Sequence, residues 1–207
     1  MPDSLIDQLI QSFMKFPGIG PRQARRFVYY LLRSNHSTVE NLIHQIKELK
    51  RGINQCQACQ RYFPANGAKL TECQICRDLS RDATELLIVE KEIDLENVER
   101  SDTYHGYYFV LGGLIPILDK EPARRIRAQE LETAIAARAK QGLQEIILAL
   151  SANPEGDYTA QFIKKLISPF AAAHNLKITT LGRGLSTGTE LEYSDADTLK
   201  NALKHRE

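Results

Sequence analysis

The side chains with the clearest chemistry in this sequence are four cysteines, which occur as two Cys-x-x-Cys pairs. Cys56 pairs with Cys59 and Cys73 pairs with Cys76, and these are all the cysteines of the chain. A Cys-x-x-Cys segment folds as a tight turn that directs two thiolates to one point, and two such turns complete a tetrahedron. Four thiolates leave no open coordination position, so we expect one structural zinc ion per chain. Dithiol redox chemistry is disfavoured, because it would need only one pair. An iron–sulfur cluster is the alternative to zinc.

Three carboxylates form a second candidate site. Glu90 ends the strand-like run "ELLIVE", and Glu155 and Asp157 follow the strand-like run "EIILAL". Ligands of parallel sheets bind at the carboxyl ends of the strands, so these acids could hold magnesium or contact a basic protein partner. In the alternative interpretation they cap helix N-termini, where acids are favoured, and Asp157 fits that interpretation well.

A third candidate is the segment "FPGIGPRQARRF", residues 16–27. Its two glycines permit backbone dihedrals that other residues avoid, and Pro21 suits the first turn of a following helix. Free N–H groups at that helix start, with arginines on one face, favour a phosphate oxygen without reading bases. The candidate DNA-binding residues are Gly18, Gly20, Arg22, Arg26 and Arg33. The alternative is an ordinary glycine turn between two packed helices.

Helices must hold this turn on both sides. The first is predicted over residues 4–15, with Ser4 as its cap and with Leu5, Leu9 and Phe13 spaced four apart. The second is predicted to bury the stripe Ala24, Phe27, Val28, Leu31 and Leu32. A third is predicted to begin at Ser37, which forms a capping box with Glu40. Its predicted core face is Val39, Leu42, Ile43, Ile46 and Leu49.

From residue 83 onward, strand and helix patterns alternate. The strand-like runs are "ELLIVE", "YYFVLGG", "EIILAL" and "KITTLG", and the helical runs are "RAQELETAIAARAKQG" and "TAQFIKKLISPFAAAH". This alternation predicts a parallel sheet with helices on both faces. The expected fold class is therefore α+β with several modules. These are a helical hairpin domain at 1–53, a four-cysteine zinc module at 54–80, an α/β domain at 81–175 and a C-terminal strand–helix segment at 176–207.

Charge is distributed unevenly along the chain, although the net charge of its 207 residues is only +1. Residues 1–82 carry 12 Lys and Arg against 7 Asp and Glu, and residues 83–207 carry 15 against 19. A basic first part and an acidic second part fit one face for nucleic acid and another for a different partner. The sequence contains no apolar run of about 18 residues that could cross a bilayer, and its start carries acids where a secretory signal carries lysines, so we expect a cytoplasmic protein.

Two of these regions resemble known motifs. The segment "FPGIGPRQARRF" resembles a helix-hairpin-helix motif, and the α/β half resembles the Toprim domain of topoisomerases, primases and some nucleases. Catalytic Toprim domains carry an Asp-x-Asp pair after a later strand, whereas the matching place here reads "SANPEGD". Only Glu90 and the displaced pair Glu155 and Asp157 remain as candidate metal ligands.

The order of the modules resembles that of the RecR family of bacterial recombination mediators, over nearly the whole chain. Besides the hairpin and the cysteine pairs, the segments that carry this resemblance are "YYFVLGGLIPILD", "NPEGDYTAQFI" and "LGRGLSTGTELEYSDADTLKNALKHR". Two segments depart from the family. The family usually has a Gly-Ile-Gly-Pro stretch where this chain reads "DKEPARRI", and its Asn-Pro-Thr form is altered before "EGD".

The resemblance implies a protein without catalytic activity of its own. Family members assemble as dimers or tetrameric rings, bind single- and double-stranded DNA without sequence preference, and act with RecO and RecF. Together they help to load RecA onto single-stranded DNA during gap repair, in the nucleoid region of the cytoplasm. In a ring, a few arginines per subunit would add up around the enclosed DNA. Two alternatives remain, a magnesium-dependent Toprim nuclease or primase-like enzyme, and a zinc-stapled DNA-binding adaptor that forms no ring.

Overall fold

The computed structural model describes residues 4–64, 70–182, 184, 185, 188 and 190–204, apart from the side chains at 197 and 204. The chain divides into two compact units, Met1–Ile53 and Asn54–Glu207. Three helices form the described part of the first unit: α1 (Leu5–Phe13), α2 (Pro21–Arg33) and α3 (His36–Gly52).

Helices α1 and α2 pack on each other around a small core. Ser4 caps α1 by accepting a hydrogen bond from the backbone of Asp7, and Pro21 opens α2, both as predicted. The buried residues are Ile10, Ala24 and Val28. The predicted apolar faces included residues that are not buried, because Leu5, Leu9 and Leu32 are exposed. Two helices alone leave one side of each apolar stripe without a neighbour.

Helix α3 corrects two sequence predictions. Its cap lies two residues earlier than expected, because the side chain of Asn35, rather than Ser37, accepts from the backbone of Thr38. None of its residues is buried, and its predicted core face is largely exposed among the described residues. The apolar side chains at least 39% exposed on this helix are Leu42, Ile43, Ile46 and Leu49. Amphipathic periodicity showed which face is apolar but not that a neighbour covers it.

Strand β1 (Ile53–Gln55) crosses the boundary between the units and pairs with β2 (Tyr62–Pro64). A short helix of the second unit, α4 (Gln74–Arg77), follows. A four-stranded sheet follows. Its strands are β3 (Asp82–Val89), β4 (Gly106–Val110), β5 (Glu145–Ala149) and β6 (Lys177–Thr180). They lie in the order β4-β3-β5-β6, and every neighbouring pair is parallel, as predicted.

Four longer helices complete the described part of this unit. They are α5 (Glu92–Ser101), α6 (Ala128–Ala139), α7 (Pro154–His174) and α8 (Ala196–Lys204), with short 3₁₀ helices at Pro122–Arg124 and Leu191–Tyr193. Helix α5 was not predicted from the sequence. Helix α7 begins at Pro154, five residues earlier than predicted, because Asn153 caps it by accepting from the backbone of Gly156. Among the described helices, none combines the length and the apolar character that a bilayer crossing requires.

The sheet has a core on each face, because successive strand residues point to opposite sides. Leu86 and Ile88 of β3 belong to the core that includes residues of α6 and α7. Leu87 and Val89 belong to a second core. That second core contains Leu95 of α5 and all four cysteines: Cys56, Cys59, Cys73 and Cys76. The cysteine module is therefore part of the interior of the α/β unit.

Candidate functional site

The four cysteine side chains meet in the interior of the second unit. All four are buried, and their sulfur atoms lie within 4.8 Å of one another. The Sγ atoms of Cys59 and Cys73 are 3.6 Å apart. A tetrahedral zinc site with bonds of about 2.3 Å places its sulfurs about 3.8 Å apart. The cluster thus has the ligand number, the chemistry and the spacing for one four-coordinate metal ion, as the sequence predicted.

Each cysteine pair lies on a short turn whose backbone hydrogen bonds fix the direction of the thiols. In the first turn, the Gln60 N–H donates to the Cys56 carbonyl at 2.9 Å, with Gln60 in the left-handed region at φ 65°. A residue other than glycine is strained there by roughly 1 kcal/mol or more. In the second turn, the Cys73 N–H donates to the Sγ of Cys56 at 3.3 Å. This bond joins the two turns directly.

The four thiols hydrogen-bond one another, which shifts their pKa values in opposite directions. Hydrogen bonding, first with Cys59, holds the pKa of Cys56 well below the usual thiol range. Hydrogen bonding, first with Cys56, raises the pKa of Cys76. Metals bind the thiolate form, so a divalent ion would displace the remaining protons. The donor set therefore fits zinc, which would be held by Cys56, Cys59, Cys73 and Cys76.

Main-chain groups of both turns are also bound by the neighbouring sheet and its connections. The Val110 N–H donates to the Cys59 carbonyl at 2.9 Å. The Arg127 guanidinium donates to the carbonyls of Gln60 at 3.1 Å and Val110 at 2.9 Å. The Tyr107 hydroxyl donates to the carbonyl of Asp78, just after the second turn, at 2.9 Å. These contacts make the cluster a closed, structural type of site, with its ligands facing inward.

The second candidate site is an open groove of about 680 Å³ along α2. Its lining residues are Arg22, Arg25, Arg26, Tyr29, Tyr30 and Arg33. Among the residues that the structure describes, no carboxylate forms a salt bridge with any of these four guanidinium groups. Four permanently charged groups on one helix, without acidic partners, create a positive potential suited to phosphate.

Three of the predicted DNA-binding residues lie together in this groove, namely Arg22, Arg26 and Arg33. Sequence reasoning left out Arg25 and Tyr30. The signal for both was present, because Arg25 follows Arg22 by three residues and Tyr30 follows Arg26 by four, and such residues are neighbours on a helix surface.

The two glycines before α2 play different parts. Gly18 has φ 75°, the left-handed conformation that favours glycine, as predicted. Gly20 has φ −85°, which any residue can adopt, so its predicted conformational role was wrong. Gly20 instead occupies the N-cap, where no side chain caps the helix. The first-turn N–H groups of α2 thus have no side-chain partner of their own.

Glu90 follows directly after β3 and is 5% exposed. One carboxylate oxygen accepts from the Ser151 hydroxyl at 2.5 Å, and the other pairs with the Lys91 ammonium at 2.5 Å. Burial opposes ionisation, but the hydrogen bonds from Lys91 and Ser151 prevail and hold the pKa of Glu90 below its usual value. Both oxygens of the predicted candidate metal ligand are therefore already bound by neighbouring side chains.

Glu155 and Asp157 lie in the first turn of α7, both exposed. Asn153, not Asp157, caps that helix. Among the described residues, the cysteines are the only group of three or more potential metal ligands that the structure gathers, so the three acids do not form such a group. Between the two acids, Gly156 has no room for a side chain, because an added Cβ would lie 1.9 Å from the Ser151 carbonyl oxygen.

The segment after "LGG" closes on itself where the sequence departs from the glycine-rich pattern. Asp119 accepts from the Glu121 N–H at 2.8 Å and from the Arg125 guanidinium at 2.6 Å. The pKa of Asp119 is lowered, first by the Glu121 N–H and then by Arg125. A 3₁₀ helix, Pro122–Arg124, forms between the two ends of this bridge.

Comparison with known protein families agrees with this arrangement. A family model described as "RecR, helix-hairpin-helix" matches residues 6–50 and includes the groove on α2. A model described as "Toprim domain" matches residues 84–182, which hold the parallel sheet. A model described as "RecR, C-terminal" matches residues 184–207.

Curated relatives match almost the full chain. A "Recombination protein RecR" of Dehalococcoides mccartyi is 37% identical over 98% of this chain and 94% of that protein. Proteins of the same name from Lacticaseibacillus casei and Prochlorococcus marinus are 33% and 36% identical over 97% of this chain, and over 96% and 94% of their own lengths. On module order, family matches and full-length identity, the chain belongs to the RecR family.

Proposed function

We propose that this protein is a recombination mediator in DNA gap repair, acting in the nucleoid region of the cytoplasm. In this role it binds single- and double-stranded DNA without sequence preference. With RecO and RecF, it helps to load RecA onto single-stranded DNA. Membership of the RecR family supports the recombination role, and the arginine groove on α2 supports DNA as the ligand.

The observation that carries the proposal is the unpaired charge of the groove. Phosphate contacts from arginine and from helix N-termini provide affinity without reading base edges. Arg22 and Arg26 lie next to the first turn of α2, which lacks a side-chain cap. The exposed rings of Tyr29 and Tyr30 lie among the arginines and offer surfaces on which unpaired bases can stack.

Self-association as a dimer or a tetrameric ring is part of this proposal. The first unit exposes large apolar side chains on α1, α2 and α3, among them Leu5, Leu32 and Leu49, each more than 60% exposed. A second copy of the same unit would bury these side chains. A ring would also multiply the few arginines of each subunit along one enclosed DNA.

We propose zinc as the metal of the cysteine cluster, one ion per chain with a structural role. Elemental analysis of protein purified without added metal should give one zinc per chain. Iron together with acid-labile sulfide would identify the iron–sulfur alternative, and absence of metal would contradict both.

The exposed acids of α7 are proposed to contact a basic partner such as RecO. Glu155→Lys combined with Asp157→Lys should abolish RecO binding, because complementary charge would become repulsion. Zinc content and binding of free DNA should stay unchanged. The matched control is Glu130→Lys with Glu132→Lys, which makes the same charge change at two exposed positions of α6. Equal loss of RecO binding in both double variants would contradict this assignment.

A magnesium-dependent nuclease or primase-like activity is the second candidate, because the Toprim domain retains a buried glutamate at the end of β3. Two-metal phosphoryl transfer commonly needs several convergent acids, whereas Glu90 is bound by Lys91 and Ser151. We therefore expect no cleavage or synthesis of nucleic acid by the wild-type protein with Mg²⁺. Such activity, if Glu90→Gln stopped it, would establish the enzyme and overturn the mediator proposal.

A further inference from the structure

A buried arginine on α6 has no acidic partner. Arg138 is only 7% exposed, and among the described residues no carboxylate forms a salt bridge with it. Glu72 lines a surface cleft together with Arg138 but forms no salt bridge with it. Arginine remains charged inside proteins, and a buried charge without compensation is strongly unfavourable. Its position therefore requires another source of negative charge nearby.

The contacts of Arg138 point to the cysteine cluster as that source. Its guanidinium lies over the Tyr107 ring, 3.6 Å from the ring centroid. One of its nitrogens donates to the Sγ of Cys76 across 3.7 Å. Stacking on an aromatic face fixes the plane of a guanidinium, so the direction of this N–H group towards the sulfur is also fixed.

Charge balance makes the same connection. A zinc ion bound by four thiolates carries a formal charge of −2, and here all four cysteines are buried. Without a nearby cation, that charge would be placed in a medium of low dielectric constant at high cost. Arg138 supplies one positive charge next to Cys76, and each group then compensates the burial of the other.

We propose that Arg138 is a positioning residue of the metal centre, which holds the Cys76 thiolate by a charge-assisted hydrogen bond and offsets the charge of the bound cluster. The proposal rests on the metal assignment above but not on the role in recombination. Tyr107 completes the arrangement, because its ring supports Arg138 and its hydroxyl binds the Asp78 carbonyl at 2.9 Å. Strand β4 and helix α6 thereby both hold the second cysteine turn.

The arrangement should also lower the reactivity of Cys76. When iodoacetamide alkylates a thiolate, a sulfur lone pair forms the S–C bond and iodide leaves with the electrons of the C–I bond. A hydrogen bond to the sulfur stabilises that lone pair, so alkylation slows. Arg138 thus protects the ligand from electrophiles while the metal is bound.

The test compares three substitutions of Arg138 in the full-length, metal-loaded protein. Arg138→Met keeps an extended apolar side chain but removes the charge and the donors, Arg138→Gln keeps a neutral donor, and Arg138→Lys keeps the charge. Arg124→Met removes the same charge from a side chain that is 79% exposed and is the matched control. Three readouts are measured: zinc affinity by chelator competition, the thiolate-to-cobalt absorption bands after Co²⁺ substitution, and alkylation of each cysteine by mass spectrometry.

We expect Arg138→Met to lower zinc affinity roughly ten- to a hundredfold, the range found when a side chain supporting a metal ligand is removed. It should shift the cobalt bands to longer wavelength and should accelerate alkylation at Cys76 most. Arg138→Lys should restore most of the affinity, Arg138→Gln less, and Arg124→Met should behave as wild type.

Unchanged affinity, cobalt spectrum and Cys76 alkylation in a folded Arg138→Met protein would overturn the proposal. If that variant does not fold, the same three readouts on Arg138→Lys and Arg138→Gln decide, because wild-type values in both would also overturn it. A wild-type protein that binds neither zinc nor cobalt would refute the proposal at its premise. DNA binding is measured in parallel, so a failure of the mediator assignment is seen separately.

Discussion

The cysteine cluster and the arginine groove differ in how they place their polar groups: the cluster buries them and the groove exposes them. In the cluster, every ligand atom is buried and faces other protein atoms. In the groove, four guanidinium groups lie on one open helix surface without acidic partners among the described residues. The first arrangement suits a structural metal ion that stays bound, and the second suits a ligand that binds and dissociates.

This difference assigns separate physical roles to the two regions. A buried ligand set contributes its binding free energy to folding, so its loss should appear as lost stability. Exposed unpaired charge contributes little to stability but raises the affinity for a polyanion and makes it dependent on salt. Variants in one region should therefore leave the measurement specific to the other region largely unchanged.

The largest effect is expected from Cys73→Ser. A serine hydroxyl is a poor ligand for zinc, so metal binding should fall sharply and the second unit should lose several kcal/mol of stability or fail to fold. Metal content and the thermal midpoint, measured with and without added zinc, test this expectation. A stable, metal-free variant with the wild-type midpoint would break the contrast between the two regions.

Arg22→Ala combined with Arg26→Ala is the reciprocal test. Removing two phosphate contacts should weaken DNA binding roughly tenfold or more and flatten the slope of log affinity against log salt by about two per hairpin. The unfolding free energy should change by less than about 0.5 kcal/mol, because both sites are exposed. Fluorescence anisotropy at several salt concentrations measures the slope, with Arg124→Ala as control. Wild-type affinity in the folded double variant would refute the groove assignment.

Gln60 tests the strain in the first cysteine turn. A β-branched residue at φ 65° is disfavoured, so Gln60→Val should destabilise the metal-bound protein by roughly 1–2 kcal/mol. Glycine adopts this conformation freely, so Gln60→Gly should be neutral within about 1 kcal/mol. Chemical denaturation of both zinc-loaded variants distinguishes them. Equal stabilities of the two variants would contradict the backbone strain assigned to position 60.

The smallest effect concerns Glu90, which is buried like the cysteines and charged like the arginines. Its folded-state pKa is lowered below 4.5, so the unfolded chain binds its proton more readily and the carboxylate stabilises the fold above that pH. This contribution is lost as the pH falls through the lowered value. Glu90→Gln should therefore make stability less dependent on pH below 4.5. Denaturation at several pH values, against Glu132→Gln, measures the difference.

Local patterns in the sequence predicted what local geometry determines. The spacing of Cys56, Cys59, Cys73 and Cys76 predicted a tetrahedral cluster because a turn of four residues has few conformations. The alternation of strand and helix patterns predicted the parallel sheet, because each pattern depends only on residues close together in the sequence. The start of α7 was not predicted although Asn153 and Pro154 form a cap and a first helical residue, because the apolar helical pattern begins only further along the chain.

Contacts between distant residues could not be predicted in the same way. Nothing near Glu90 in the sequence indicates that Ser151, 61 residues away, donates to it. Arg138 looks like an ordinary surface arginine of an amphipathic helix, and only the fold places it over Tyr107. The apolar face of α3 was identified correctly. Whether that face is buried depends on what packs against it, and the helical period carries no information about that.

The position of β4 at the edge of its sheet has a consequence for the aggregation of this protein. Its residues, Gly106–Val110, read "GYYFV", are all buried and have high β-propensity and no charge. An uncovered edge of this kind can pair with the same strand of another molecule. Here the Cys59 carbonyl accepts from the Val110 N–H at this edge, so the first cysteine turn covers part of it. Chelation of the metal should therefore cause aggregation before complete unfolding, visible as light scattering at temperatures where the zinc-bound protein remains clear.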